Sequence, residues 1–238
     1  AGGQWTAGLV NPVFDYRNKK GIMREIQQRL EGKNVWGGFF NSSFQYEYMK
    51  KLLDEMLAEA GVTVLYDTKF SRALTVNNKV NGVVAENKGG RSAFLSKVVI
   101  DCTGDADVAA SAGAPFHVGR EADGKVQAKT LMFTVGNISF DQTDCNTLYN
   151  LMREAKEQNN DSYDIPYDRP YIISIPGTNT AVVQLTHMRG YNPLDGPDLS
   201  RAFIEGRRQA VETVEFWRKY IPEFRDVILL QTDRKSVV

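Results

Sequence analysis

Residues Val98-Val99-Ile100-Asp101-Cys102-Thr103-Gly104-Asp105-Ala106-Asp107 constrain the fold more than any other stretch of this chain. A continuous apolar run ends in Thr-Gly-Asp, and small residues suited to a helix, Val108 to Ala112, follow at once. Three apolar residues ahead of such a turn predict a central strand, buried on both faces, that ends sharply. Asp105 and Asp107 then fall in the first helical turn, where acidic side chains complement the helix dipole. In open α/β sheets ligands sit at the carboxyl ends of strands, and a glycine lets backbone approach them closely. The turn is therefore a candidate cofactor contact. A ligand-free βα turn would read the same way over these ten residues alone.

The flanks are more specific. The run continues Ala109-Ala110-Ser111-Ala112-Gly113-Ala114-Pro115-Phe116, followed by Gly119-Arg120 and Asp123-Gly124. The chain starts Gly2-Gly3-Gln4-Trp5-Thr6-Ala7-Gly8-Leu9-Val10-Asn11-Pro12, and a third segment runs from Leu52 to Val62. In this order the segments resemble the FAD-dependent oxidoreductases of the glutathione-reductase-like flavoprotein superfamily. That family's signatures read approximately I-D-A-T-G-D-x-D-x-A-A-x-A-G-A-P-F and G-G-x-x-T-x-G-L. Cys102 stands where the family usually has Ala. The resemblance extends from residue 2 to about residue 230.

It implies FAD as cofactor and electron transfer between FAD and a small organic substrate. The fold it implies is α/β, or α+β overall. A partial Rossmann-like FAD-binding domain with a β-meander would cover 1–117, and a substrate domain built on an antiparallel sheet would cover 118–232. No G-x-G-x-x-G turn occurs in the 238 residues. The resemblance thus implies an internal fragment without the family's first βαβ unit or its C-terminal flavin-binding segment. Such a fragment is expected to bind FAD weakly or not at all and to be inactive alone. Asp233-Arg234-Lys235-Ser236-Val237-Val238 departs from the family and equals the translation of a common sequencing adapter, so 233–238 is expected to be a non-native tail.

The resemblance also assigns candidate site residues. Gly2, Gly3 and Thr6 would lie on a loop passing the flavin, and Thr103, Gly104 and Asp105 would form a turn near the cofactor. Phe70, in Thr68-Lys69-Phe70, would present backbone to the adenine. A ligand-free glycine turn, a plain helix cap at Asp105 and a strand-core Phe70 are the structural alternatives. On the substrate side, Gln127 and Thr130 follow the Gly-Arg…Asp-Gly segment, although surface polar residues would look alike. His187 and Arg189 close a predicted hairpin. The imidazole titrates near neutrality and suits proton transfer, and the guanidinium suits a substrate carboxylate. A lone His at a strand end is more often structural.

Composition excludes other classes. Lys plus Arg equals Asp plus Glu at 29 each, so no net field favours nucleic acid or an anionic membrane. No apolar stretch approaches the roughly 18 residues that span a bilayer, and a cytoplasmic location is expected. Cys102 and Cys145 make no disulfide framework, and both are expected to pack as buried thiols. With two histidines, His117 and His187, no metal site is expected. Oligomeric state is not legible. A non-enzymatic α+β binding or scaffolding module without cofactor, and a flavin-dependent hydroxylase-like enzyme, stay open as alternatives.

Apolar spacing predicts helices at 20–30, 46–60, 141–158 and 198–221, the last capped by Asp198 or Ser200 and stopped by Pro222. In that last helix Phe203, Ala210, Val211, Val214, Trp217 and Ile221 are expected to be buried. Strands are predicted at 62–66, 70–76, 80–86, 92–100 and 129–135, with a hairpin formed by 171–175 and 180–185.

Overall fold

A computed structural model describes residues 1–38, 41–138, 145–158, 163–166 and 169–233. In chain order its elements are α1 (Ile22–Glu31), β1 (Trp36–Gly37), β2 (Ser43–Phe44), α2 (Tyr46–Glu59), β3 (Lys69–Val76), β4 (Lys79–Asn87), β5 (Gly90–Leu95) and α3 (Asp107–Ser111). Then come β6 (Phe133–Gly136), α4 (Cys145–Gln158), β7 (Tyr171–Ser174), β8 (Thr180–Gln184), α5 (Gly196–Tyr220) and β9 (Ile228–Thr232). They form two compact units: Ala1–Ala60 with Ala128–Val238, and Gly61–Gln127.

The first unit is built on an antiparallel sheet of order β7-β8-β6-β9. Its strands are apolar on both faces, and each face finds cover. Phe133, Val135, Ala181 and Val183 join Leu148 and Met152 of α4 and Ala210, Val214 and Trp217 of α5 in one core. Neighbouring residues along the strands point the other way, so Met132, Ile173 and Val182 pack with Leu9 and Ile175. A separate cluster joins Ile26 and Leu30 of α1, Trp36, Phe44, and Met49 and Leu52 of α2. The Trp217 indole N–H donates to the Met152 sulfur at 3.3 Å.

Helix α5 starts earlier than its spacing predicts. Asp195 is its cap and accepts the N–H of Asp198 at 2.9 Å, with Pro197 in the first turn. Asp198, expected to cap, instead accepts the N–H of Asn192 at 2.9 Å. Val211, expected in the core, is exposed, and Phe203 is only partly buried. Strand β9 was not predicted. It pairs antiparallel with β6, and exposed Ile228 and Leu230 leave it without clean alternation. Residues 141–144 of the predicted 141–158 helix lie outside the described residues, as does 234–238 of the expected tail.

The second unit is an antiparallel meander, β3-β4-β5, with α3 against β3. Ser111 Oγ of α3 accepts the N–H of Ala73 at 3.0 Å, satisfying a donor of strand β3. At Gly82 an added Cβ would lie 2.2 Å from the carbonyl oxygen of Phe94, so β4 and β5 approach too closely for any side chain. Two sequence expectations fail here. Val62–Tyr66 and Val98–Ile100 lie outside every strand, and Ile100 is 82% exposed. Apolar, β-branched composition favours a strand, but a strand also needs a neighbour, and among the described residues neither segment has one. Cys102 is accordingly exposed rather than buried.

Candidate functional site

The turn that closes the Val98–Ile100 segment is braced by a residue outside the Thr-Gly-Asp triplet. The Asp101 carboxylate accepts from the Thr103 hydroxyl at 2.7 Å, the Thr103 N–H at 3.1 Å and the Ala109 N–H at 3.0 Å. Thr103 Oγ1 in turn accepts the N–H of Asp107 at 2.8 Å. One carboxylate therefore ties the incoming chain to the first turn of α3. These bonds, the Thr103 hydroxyl foremost and the Ala109 N–H next, hold Asp101 below the usual carboxylate range.

The braced turn leaves its tip open. Gly104 has φ +103° and Ala106 has φ +56°, and nothing lies within 4 Å of where a Gly104 side chain would begin. A non-glycine residue held in the left-handed region stores strain, which the Asp101 and Thr103 bonds offset. The N–H groups of Gly104, Asp105 and Ala106 meet no acceptor among the described residues. The Asp105 carboxylate is exposed beside them. Donors and an acceptor within three residues match a polyhydroxyl or sugar-like chain, whose hydroxyls both donate and accept. Thr103, Gly104 and Asp105 are thus brought together.

The glycine-rich start folds into a loop that closes on itself. Val10 N–H donates to the Gln4 carbonyl at 2.9 Å and Gly8 N–H to the Gly3 carbonyl at 3.1 Å. Gly8 is needed because a Cβ there would lie 2.8 Å from Gln4 Cα. At Gly2, φ +97°, a Cβ would meet Thr6 Cγ2 at 2.7 Å and Leu53 Cδ1 at 2.8 Å. Thr6 is buried and donates its hydroxyl to the Ala1 carbonyl at 2.7 Å. Gly2 and Thr6 therefore shape the loop, while Gly3, φ +48° with nothing within 4 Å, is its open position. Phe70 sits half-buried in β3 opposite Ala85 of β4, beside a bulge before Arg72.

The substrate-side candidates are less clustered. Gln127 is exposed and Thr130 half-buried. Lys129 pairs backbone to backbone with Met188, and Thr186 Oγ1 both accepts the Leu131 N–H at 2.8 Å and donates to the Leu131 carbonyl at 3.0 Å. His187 follows: its N–H donates to Gln209 Oε1 of α5 at 2.9 Å, and its Nδ1 lies 3.1 Å from the Leu185 carbonyl. Arg189 is exposed and meets no carboxylate within 4 Å among the described residues.

Sequence reasoning missed three residues. Asp101 sits within the apolar run, and the one signal for it is its place two residues before a threonine, which favours a side-chain turn. Gln209 and Lys129 gave none, since buried long polar side chains are rare. Lys129 is 1% exposed and donates from Nζ to the Tyr191 carbonyl at 2.6 Å. Burial pushes its ammonium below the usual lysine range, partly countered by the Asp198 charge. A concavity of about 670 Å3 among Leu74, Val76, Asn81 and Leu95 includes no residue of the Gly104 turn. Among the described residues no helix is long and apolar enough to cross a membrane.

A family model described as FAD dependent oxidoreductase matches residues 1–235. No curated protein matches the chain. Among solved structures, a flavin-dependent brominase triple mutant is similar at 11% identity and TM-score 0.52, with 94% of this chain and 57% of that one covered. The L-proline dehydrogenase of P. horikoshii is similar at 14% identity and TM-score 0.45, covering 80% of this chain and 43% of that one. A myxobacterial chondrochloren halogenase, an FAD-dependent halogenase, is similar at 12% identity and TM-score 0.45, covering 82% of this chain and 41% of that one. The chain therefore spans between 41% and 57% of the length of these three proteins.

Proposed function

The chain belongs to the FAD-dependent oxidoreductase family, and we propose that its Thr103–Asp107 turn holds part of the flavin cofactor in an enzyme that passes electrons between FAD and a small organic substrate. The observation that carries this reading is the open tip at Gly104, with the N–H groups of Gly104, Asp105 and Ala106 meeting no acceptor among the described residues. The residues fit the group. A hydroxylated linker such as the one joining the flavin ring to its pyrophosphate would accept from these N–H groups and donate to Asp105. FAD supplies the electron-accepting ring, and the protein's part is to place that ring and bring substrate to it.

Each further candidate takes a role on the same reading. Gly3 gives its loop an open backbone position for the ring, and Gly2 and Thr6 hold that loop in shape. Phe70 offers backbone to the adenine. Thr130 and Gln127 are the candidates for substrate contact, each in its own unit, and Arg189 is the cation for an acidic substrate group. His187, whose Nδ1 lies 3.1 Å from the Leu185 carbonyl, is the side chain for proton transfer. A cofactor domain over 1–117 and a substrate domain over 118–232 are the division this reading implies.

Quenching of FAD fluorescence on titration with the protein tests the turn. Gly104→Val, which puts a branched side chain into left-handed backbone, is expected to weaken binding by about ten-fold or more. Asp105→Asn, which keeps the shape and removes the charge, is expected to weaken it by about three- to ten-fold. Affinity unchanged in both variants would contradict the assignment.

A further inference from the structure

A second concavity, of about 350 Å3, lies in the first unit beside the short 3-10 turn Tyr16–Asn18. We propose that it binds a small organic carboxylate, gripped by the Arg17 guanidinium and the Tyr16 hydroxyl. Tyr16 is fixed first. It is buried, with its ring edge-on to Trp36 at 5.1 Å. Its hydroxyl oxygen accepts from Arg17 Nε at 3.3 Å and from Asn41 Nδ2 at 3.4 Å. Both contacts use the oxygen as acceptor, and the phenol proton has no acceptor among the described residues. A ligand oxygen would supply one.

Arg17 is the second grip. Its guanidinium lies 5.7 Å from the centre of the Tyr16 ring, which orients the fork, and no carboxylate lies within 4 Å of it among the described residues. Asp15, which also lines the concavity, does not take that place, because its charge is already engaged by Asn18 Nδ2 at 2.5 Å and Lys19 Nζ at 3.2 Å. The planar fork with its two terminal nitrogens suits a carboxylate, whose two oxygens it meets together.

The walls say what the anion is attached to. Val13 and Phe14 line the same concavity, and Phe14 is 70% exposed although aromatic. An aromatic ring left in water beside a cation gives an apolar body a surface to cover, which a bare inorganic anion would not use. Asp15 and Asn41, on the two segments that frame Tyr16, turn the chain in left-handed backbone at φ +57° and +55°, which these residue types accommodate. This site needs no cofactor and stands independently of the flavin assignment.

Benzoate is the probe, followed by tryptophan fluorescence and by the amide resonances of 13–18. Saturable binding is expected, with a Kd on the order of millimolar for so small a ligand. Arg17→Met is expected to raise the Kd by about ten-fold or more, and Tyr16→Phe by about three-fold. Arg17 is exposed, so its removal leaves the core intact, which circular dichroism checks. On the unaltered protein, benzamide and inorganic phosphate are each expected to bind about ten-fold more weakly than benzoate, the first lacking the charge and the second the apolar body. Benzoate bound equally by Arg17→Met, benzamide or phosphate bound as tightly as benzoate, or no saturation by benzoate would each overturn the proposal.

Discussion

At the scale of single residues, Asp101 decides whether the Gly104 turn exists in the form described. Its carboxylate is the common acceptor for Thr103 and Ala109, and the ionised form accepts these bonds much more strongly than the protonated one. Because its pKa is held below the ordinary carboxylate range, its contribution is present above that range and is lost as pH falls through the depressed value. Asp101→Ala is therefore expected to speed hydrogen exchange of the amides of Thr103, Asp107 and Ala109 at neutral pH, with the difference from the unaltered protein shrinking under acid. Equal exchange in the two proteins at neutral pH would show that the turn holds without this acceptor. The Thr-Gly-Asp triplet was legible because glycine at a turn tip is a local signal. The brace at Asp101 was less so, since it depends on where Ala109 is carried by the following helix.

At the scale of elements, α5 and its sheet form the most fully buried part of the described structure. Trp217 is fully buried among Phe133, Phe224 and Met152. Trp217→Ala is expected to cost about 3–5 kcal/mol, read as a lower midpoint in urea unfolding. Gly206 makes a finer test. An alanine there gains about 1 kcal/mol of helix propensity, but its Cβ would sit 2.9 Å from Leu131 Cβ and 3.1 Å from Met188 Cε. Leu131 Cβ cannot swing aside without its backbone, so overpacking of about 1–3 kcal/mol wins and Gly206→Ala is expected to destabilise. A stabilised variant would mean that helix and strand separate more easily than drawn. Helices and hairpins such as α2 and β7–β8 were legible because their periodicity is local. The Val62–Tyr66 and Val98–Ile100 segments were not, because apolar composition reports a need for cover and is silent on what pairs with the chain. Strand β9 was missed for the converse reason: as an edge partner of β6 it leaves Ile228 and Leu230 exposed and lacks clean alternation.

At the scale of the whole molecule, the two units differ in how much they bury. In 61–127 the buried apolar side chains are Val84, Ala85 and Val108 among the described residues, whereas the sheet of the first unit is covered on both faces. The amides of 82–86 are accordingly expected to exchange at least about ten-fold faster than those of 133–135. Comparable protection would show that the meander is as well held as the larger sheet. The family was legible from motif order, and the family model matches 1–235. The candidate site was legible only at its glycine-marked turns. Lys129, Gln209 and the Tyr16–Arg17 pair acquire meaning from contacts across the fold.

The central claim, that the Thr103–Asp107 turn meets the flavin cofactor, is tested most directly by titrating isotope-labelled protein with FAD and following backbone amide resonances, which locates even weak binding. Progressive shifts centred on Gly104, Asp105 and Ala106 are the predicted result. FAD that leaves those three amides unmoved, or moves only amides elsewhere, would contradict it.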